Sequence, residues 1–223
     1  MLTVHHLGWS QSERIVWLCE ELGIDYTLKH YRRDPVTRLS PPALKALHPL
    51  GAAPVITDGD LLLAESAAIV DYLIQTRGGE RLTVARDEPG FPDYLYWFHF
   101  ANGNLQPVVG RMMVLKRLAT PADNPVLKAM QGRLTLVLDL VEARLGTVPH
   151  LAGEQFTAAD IMSVFTLTTM RLFSPYDLTP YPGILAYLQR IGARPAYRRA
   201  MAKGDPDLTP LLTAENPPFP DKK

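Results

Sequence analysis

Apolar positions change their spacing several times along the first eighty residues. Residues 2–6 are β-like, and from residue 15 onward the apolar positions follow the 3, 4, 7 spacing of one helix face, which predicts a helix ending at Gly23. Residues 24–31 predict a second strand, and residues 42–47 a short helix within a proline-containing loop. Strand, helix, strand is the first half of a βαβ unit.

Residues 48–73 predict a bend, a hairpin and the start of a helix. Pro54 opens the strand 55–57, where a missing N–H donor is tolerated, and it is a candidate for a cis peptide bond. Asp58 and Gly59 predict a two-residue turn between antiparallel strands. Glu65 and Ser66 begin an apolar helical pattern. The order β-α-β-α-β-β-α predicts an α+β, thioredoxin-like domain.

Only helical patterns follow residue 92. We predict helices at 93–118, 125–145, 158–172, 183–191 and 195–202, which form an all-α helical bundle. Thr157 and Asp160 fit a capping box, and Phe156 and Ile161 are spaced for a hydrophobic staple. Prolines from Asp205 onward predict a tail extended over the surface. The predicted domains are therefore 1–80, a linker at 81–92, and 93–223.

Composition and charge narrow the function. The chain has 23 basic and 23 acidic residues, so no overall field attracts nucleic acid or an anionic membrane. Its single cysteine, Cys19, excludes an internal disulfide and is expected to be a buried apolar residue. The histidines lack a His-x-x-x-His spacing, so we expect no metal site. The chain has no signal-peptide pattern and no run of ~20 apolar residues, which predicts a cytoplasmic protein.

Four phrases in the correct order carry a family resemblance. They are Ser-x-Ser-x-Arg-Ile-Val-Trp-Leu from residue 10, His-Pro-Leu-Gly-x-x-Pro-Val-Ile from residue 48, Leu-Ala-Glu-Ser-x-Ala-Ile from residue 63, and Thr-x-x-Asp from residue 157. Over nearly its whole length the chain resembles cytosolic glutathione transferases, above all the bacterial and fungal serine-type members. The resemblance implies a homodimeric detoxification enzyme that conjugates the glutathione thiolate to small hydrophobic electrophiles.

The resemblance also implies roles for residues around the hairpin. Glu65 and Ser66 would hold the γ-glutamyl group of glutathione at a helix N-terminus, where the dipole favours an anion. Ala53, followed by Pro54, would pair its backbone with the cysteinyl part like an added strand.

One position departs from the family pattern. Many relatives carry a lysine that pairs with a glutathione carboxylate where this chain has Ala52. Arg38 or Lys45 could take its place.

Two serines are candidates for stabilising the glutathione thiolate. The resemblance implies a hydroxyl in the first loop, with Ser10 as first choice and Ser12 as second. On local sequence alone, either serine could instead be a helix cap. The resemblance further implies a hydrophobic substrate site formed by Trp9, Asn102, Gln106 and Met113.

Two alternative functions remain open. The same scaffold could carry a glutathione-dependent peroxidase, isomerase or dehalogenase, or a non-catalytic binding or assembly protein, because fold does not fix chemistry. The presence of Ser10, Glu65 and Ser66 together favours an enzyme.

Overall fold

The computed structural model describes residues 1–216, which divide into two compact units. The first unit contains residues 1–83 and 192–210, and the second contains residues 84–191 and the segment from Leu211 onward. The helical region predicted as 93–223 is therefore divided, because its last helix belongs to the first unit. Where the functional domain boundaries lie stays a prediction.

A four-stranded mixed sheet forms the centre of the first unit. The elements are β1 (Leu2–Leu7), α1 (Glu13–Leu22), β2 (Thr27–Tyr31), α2 (Pro42–Lys45), β3 (Val55–Asp58), β4 (Leu61–Ala64) and α3 (Ser66–Leu73). The strand order is β2-β1-β3-β4; β1 is parallel to β2 and antiparallel to β3, and β3 is antiparallel to β4. The predicted element order and thioredoxin-like fold class are confirmed.

The hairpin turn lies one residue later than predicted. Asp58 pairs with Leu61 inside the ladder, so the two turn residues are Gly59, with a φ of 60°, and Asp60. Asp58 stays in the strand because its carboxylate accepts hydrogen bonds from Tyr72 and Arg77. Arg77, acting through that bond, lowers the pKa of Asp58.

A final helix, α9 (Pro195–Gly204), returns to the first unit and packs along α1. Trp17 meets Tyr197 edge-on with ring centroids 4.9 Å apart. Arg194 forms a bidentate pair with Glu21 at 2.7 and 2.8 Å. The sequence predicts this helix, but its pairing with α1 depends on contacts between residues more than 170 positions apart.

Glu20 adds a second charged contact between α1 and α9. Its carboxylate accepts hydrogen bonds from Arg199, Lys203 and Tyr26. Although burial raises it, the pKa of Glu20 is held below its ordinary value by the hydrogen bonds from Lys203, Arg199 and Tyr26. The carboxylate therefore stays ionised and keeps α9 in place at neutral pH.

The segment after α9 is not extended over the surface as predicted. Asp205, Leu208 and Leu211 are buried, because the carboxylate finds polar partners and the leucines find apolar cover. The prediction for Pro217, Pro218 and Pro220 falls outside the described residues.

The second unit is helical, as predicted. Its helices are α4 (Phe91–Phe100), α5 (Gln106–Arg117), α6 (Pro125–Leu145), α7 (Ala158–Leu167) and α8 (Pro182–Ala193). A π-helical segment, Ala101–Leu105, separates α4 from α5, and a 3-10 segment, Thr169–Leu172, follows α7. The chain therefore changes its winding within the predicted helices 93–118 and 158–172. Within residues 1–216, no helix has the length and apolar character needed to cross a membrane.

The capping box at the start of α7 is confirmed, and Asp160 does more than cap. Its carboxylate accepts hydrogen bonds from the backbone N–H groups of Thr157 and Leu151, at 2.9 and 3.0 Å, and from the Tyr187 hydroxyl at 2.9 Å. Asp160 and Thr157 are buried, so these bonds replace those that water would supply. The box therefore fixes α7 against both its preceding loop and α8.

We expect Thr157→Ala to lower the free energy of unfolding by about 1–2 kcal/mol, because a buried N-cap hydroxyl is lost. Urea denaturation followed by circular dichroism measures the change. Thr147→Ala is the matched control, since that threonine is exposed and its hydroxyl donates to the Arg144 carbonyl. Equal stability of the two variants would contradict a structural role for the capping box.

Candidate functional site

Ser12 precedes α1 but does not cap it with its side chain. Its Oγ instead accepts a hydrogen bond from the Leu7 N–H at 3.1 Å and lies 2.9 Å from His6 Nδ1. The residue is completely buried. The helix-cap interpretation is therefore wrong for Ser12, whose hydroxyl ties the start of the helix to β1.

Ser10 is the second hydroxyl of this loop. Its Oγ lies 2.8 Å from Ser12 Oγ and accepts a hydrogen bond from the Ser12 backbone N–H at 3.2 Å. Ser10 thus satisfies one backbone donor at the helix start, as a capping residue would. The structure brings the two predicted serines into direct contact.

His6 and Asp205 continue the network on the far side of Ser12. His6 Nε2 lies 3.2 Å from Asp205 Oδ2, and Asp205 Oδ1 accepts a hydrogen bond from the Trp9 N–H at 2.9 Å. Both side chains are buried, and the two atoms face each other as an ion pair rather than in a well-aligned hydrogen bond. Sequence reasoning missed this pair because the two residues are about 200 positions apart.

His30 lies beside this pair. Its ring centroid is 5.3 Å from that of His6, and potential ligand atoms of His6, His30 and Asp205 all lie within 4.8 Å of one another. Burial, followed by the charge of His6, lowers the pKa of His30. Because Asp205 is already engaged by Trp9 and His6, we assign the cluster to hydrogen bonding and charge pairing rather than to a metal ion.

The peptide bond between Ala53 and Pro54 is cis, as anticipated. Both residues are buried, and the Ala53 carbonyl accepts a hydrogen bond from the Gln11 side-chain amide at 3.1 Å. The first loop and the proline-led strand are therefore joined directly. Nothing in the sequence singles out Gln11, whose role depends on this contact between two loops.

Glu65 and Ser66 lie at the start of α3. Glu65 is exposed and has a φ of 72°, which costs a residue with a Cβ about 1–3 kcal/mol. Ser66 is buried, and its Oγ accepts a hydrogen bond from Arg14 at 3.0 Å. Such strain is characteristic of ligand-binding positions, and here it turns the Glu65 side chain away from the core.

Arg14 is the residue whose importance sequence reasoning underestimated. It is completely buried, and the same nitrogen that donates to Ser66 also donates to Gln11 Oε1 at 3.1 Å. Burial lowers the pKa of Arg14 to about 9, which leaves the guanidinium charged at neutral pH. The available signal was its position four residues before Leu18, on the apolar face of α1.

The two cations suggested as substitutes for a lysine at position 52 lie in the next loop. Arg38 is half-buried with a φ of 62°, and its N–H donates to the Asp34 carbonyl. Lys45 is exposed, and its Cγ would lie 3.0 Å from a Cβ added at Gly51. Lys45 therefore passes directly over the residue next to Ala52.

Residues predicted for the hydrophobic site are shared between the two units. Trp9 belongs to the first unit and is half-buried with a φ of 54°. Asn102, in the π-helical segment, and Gln106 and Met113, in α5, belong to the second unit and are also half-buried. A π-helical segment is common at functional sites, which agrees with a role for Asn102.

Comparisons with known proteins identify the family. Residues 9–76 match the family model described as "Glutathione S-transferase, N-terminal domain", and residues 108–195 match "Glutathione S-transferase, C-terminal domain". The chain is 31% identical to glutathione S-transferase 3 of Schizosaccharomyces pombe, across 99% of this chain and 96% of that protein. It is 29% identical to glutathione S-transferase 3 of Zea mays, across 85% and 87%.

A solved structure agrees with these relatives. The crystal structure of a glutathione S-transferase from Actinobacillus pleuropneumoniae matches with a TM-score of 0.84 and 36% identity, over 92% of this chain and 93% of that one. Fold, sequence and both family models therefore lead to the same result. The chain belongs to the glutathione S-transferase family, and its activity is that of a glutathione transferase.

Proposed function

We propose that this enzyme binds glutathione in its first unit and transfers the thiolate, stabilised by Ser10, to small hydrophobic electrophiles. The observation that carries the proposal is the forked hydrogen bonding of Arg14. One guanidinium nitrogen donates both to Ser66, at the candidate carboxylate site, and to Gln11, which holds the Ala53 carbonyl. A single buried cation thus connects the places where the two ends of a γ-glutamyl-cysteinyl unit would bind.

The γ-glutamyl group would bind at the N-terminus of α3. Ser66 accepts from Arg14 and would donate its own proton to the carboxylate, assisted by helix N–H groups and by the charge of Arg14. The exposed Glu65 carboxylate would receive the ammonium group. Both charges of the γ-glutamyl group would then be paired.

The cysteinyl part would lie along Ala53, before the cis Pro54. Its backbone would pair with Ala53 as an added strand does. The Gln11 amide would then share the Ala53 carbonyl with glutathione or move aside. Lys45, lying over Gly51, and Arg38 are the candidates for the glycine carboxylate in place of a lysine at position 52.

Ser10 is the better candidate for the thiolate contact. Ser12 is completely buried and engaged by Leu7 and His6, whereas Ser10 lies at the open end of the pair. A hydroxyl donating to a thiolate stabilises the anion, and each unit of pKa lowering needs about 1.4 kcal/mol. The electrophile would be held by Trp9 together with Asn102, Gln106 and Met113.

We also propose a homodimer, a detoxification role and a cytoplasmic location. The dimer would use the faces of α3 and of the helix that contains α4. Leu95 and Tyr96 on α4 are 39% and 50% exposed, large apolar side chains that a partner subunit would cover.

Glu65→Gln is expected to weaken glutathione binding by about tenfold, because an ionic hydrogen bond becomes a neutral one. Isothermal titration calorimetry measures the dissociation constant. Glu80→Gln is the matched control, since Glu80 is also exposed and has a φ of 63°. An unchanged affinity in Glu65→Gln would place the ammonium group elsewhere.

Ser10→Ala is expected to lower kcat/KM with a standard aromatic electrophile by about 10- to 100-fold, while glutathione affinity changes little. The lost hydroxyl raises the pKa of the bound thiol. Ser163→Ala is the control, because it removes a buried hydroxyl for which residues 1–216 offer no hydrogen-bond partner. Full activity of Ser10→Ala would exclude Ser10 as the thiolate donor.

Tyr96→Glu is expected to convert the dimer into a ~25 kDa species in sedimentation velocity, because a charge is placed in an apolar contact. Leu118→Glu, at an exposed position outside the proposed interface, should leave the dimer intact. If the wild-type protein itself sediments at ~25 kDa, the dimer proposal is wrong.

A further inference from the structure

Four buried side chains form a continuous line that ends at the candidate thiol site. From Ser10 Oγ to Ser12 Oγ the distance is 2.8 Å, from Ser12 Oγ to His6 Nδ1 it is 2.9 Å, and from His6 Nε2 to Asp205 Oδ2 it is 3.2 Å. All four residues belong to the first unit and are at most 6% exposed. Thiolate stabilisation by one hydroxyl does not require the last two residues.

Backbone contacts leave each serine one proton and one lone pair for this line. Ser12 Oγ already accepts from the Leu7 N–H, and Ser10 Oγ already accepts from the Ser12 N–H. A hydroxyl has one donor and two acceptor sites. The two hydroxyl protons must therefore point the same way, either toward His6 or away from it.

Asp205 determines which direction holds in the resting state. A carboxylate 3.2 Å from Nε2 favours a proton on that nitrogen, so neutral His6 presents a bare Nδ1 to Ser12. Ser12 then donates to His6 Nδ1, and Ser10 donates to Ser12. In this state, Ser10 Oγ has no proton to offer to a sulfur atom.

We propose that His6 receives the thiol proton of bound glutathione through Ser10 and Ser12, and that Asp205 stabilises the imidazolium that forms. This inference rests on the proposed function, since it assumes that the glutathione sulfur lies against Ser10. His6 and Asp205 do not touch glutathione; they act through the two serines.

The transfer is balanced by three proton shifts. The S–H bond breaks and its proton bonds to Ser10 Oγ, while the Ser10 proton moves to Ser12 Oγ and the Ser12 proton moves to His6 Nδ1. The products are a thiolate and an imidazolium, and both serines remain neutral. After the transfer every hydrogen bond is reversed, so Ser10 now donates to the thiolate it has helped to form.

The surroundings of His6 favour charge on that ring over charge elsewhere. Within residues 1–216, Asp205 and His30 are the titratable groups that contact it, and burial lowers the pKa of His30, which keeps His30 neutral. A Cβ added at Gly204 would lie 3.1 Å from His6 Nε2, so the glycine lets α9 end directly on the ring. The close packing excludes water that would otherwise compete for the proton.

Asp205→Asn tests the relay with almost no change in shape. The new amide would donate to His6 Nε2 and leave the proton on Nδ1, so that His6 could no longer accept one. We expect the apparent pKa of enzyme-bound glutathione, followed by thiolate ultraviolet absorbance, to rise by about one unit or more, and kcat/KM at neutral pH to fall roughly tenfold. Asp207→Asn, at an exposed position two residues away, should match the wild type.

Three further measurements distinguish a proton relay from a disturbed site, from two independent effects and from a bound cation. S-methylglutathione, which has no thiol proton, should bind wild type and Asp205→Asn equally, whereas weaker binding to the variant would mean a disturbed site and would overturn the relay. The double variant with Ser10→Ala should behave like Ser10→Ala alone, because both changes interrupt one path; additive effects would overturn the relay. Loss of activity on chelation, restored by Zn²⁺, would instead make the cluster a cation site and also overturn it.

Failure of the relay can be told from failure of the proposed function. If Ser10→Ala raises the pKa of bound glutathione but Asp205→Asn does not, the relay is wrong and Ser10 keeps its role. If Ser10→Ala leaves that pKa unchanged, or no variant binds glutathione, the proposed function itself is wrong.

Discussion

A buried carboxylate attaches the end of the described chain to its beginning. Asp205 accepts from the Trp9 N–H with one oxygen and faces His6 with the other. Removing a carboxylate from water costs several kcal/mol unless polar partners replace the solvent, so these contacts determine where the loop before α1 lies. Because that loop contains both candidate serines, the geometry at the thiol site depends on α9 lying correctly along α1.

Arg14 imposes a second constraint of the same kind. A completely buried guanidinium must donate to buried acceptors, and here they belong to two different parts of the first unit, Ser66 at the start of α3 and Gln11 in the first loop. Gln11 in turn holds Ala53. One charge inside the core therefore fixes the distance between two segments that are remote in sequence and that together would surround glutathione.

Local chemistry explains which features the sequence could predict. The capping box at Thr157, the turn glycine Gly59 and the helix face of α1 each depend on residues within a few positions of one another, and the structure confirms them. The burial of Asp205 and the hydrogen bond from Ser12 to His6 depend on tertiary contacts. A serine before a helix is ordinarily a cap, and only the position of β1 turns the Ser12 hydroxyl away from that role.

The same distinction separates affinity from reactivity in this enzyme. The proposed glutathione contacts rely on backbone geometry, namely the extended Ala53 segment and the positive φ of Glu65, and such geometry is written in short, recognisable phrases. The network behind Ser10 relies on His6 and on Asp205, whose partnership no short phrase contains. Substitutions in the segment after α9 can therefore change the ionisation of the thiol while the binding phrases, and with them the affinity for glutathione, stay intact.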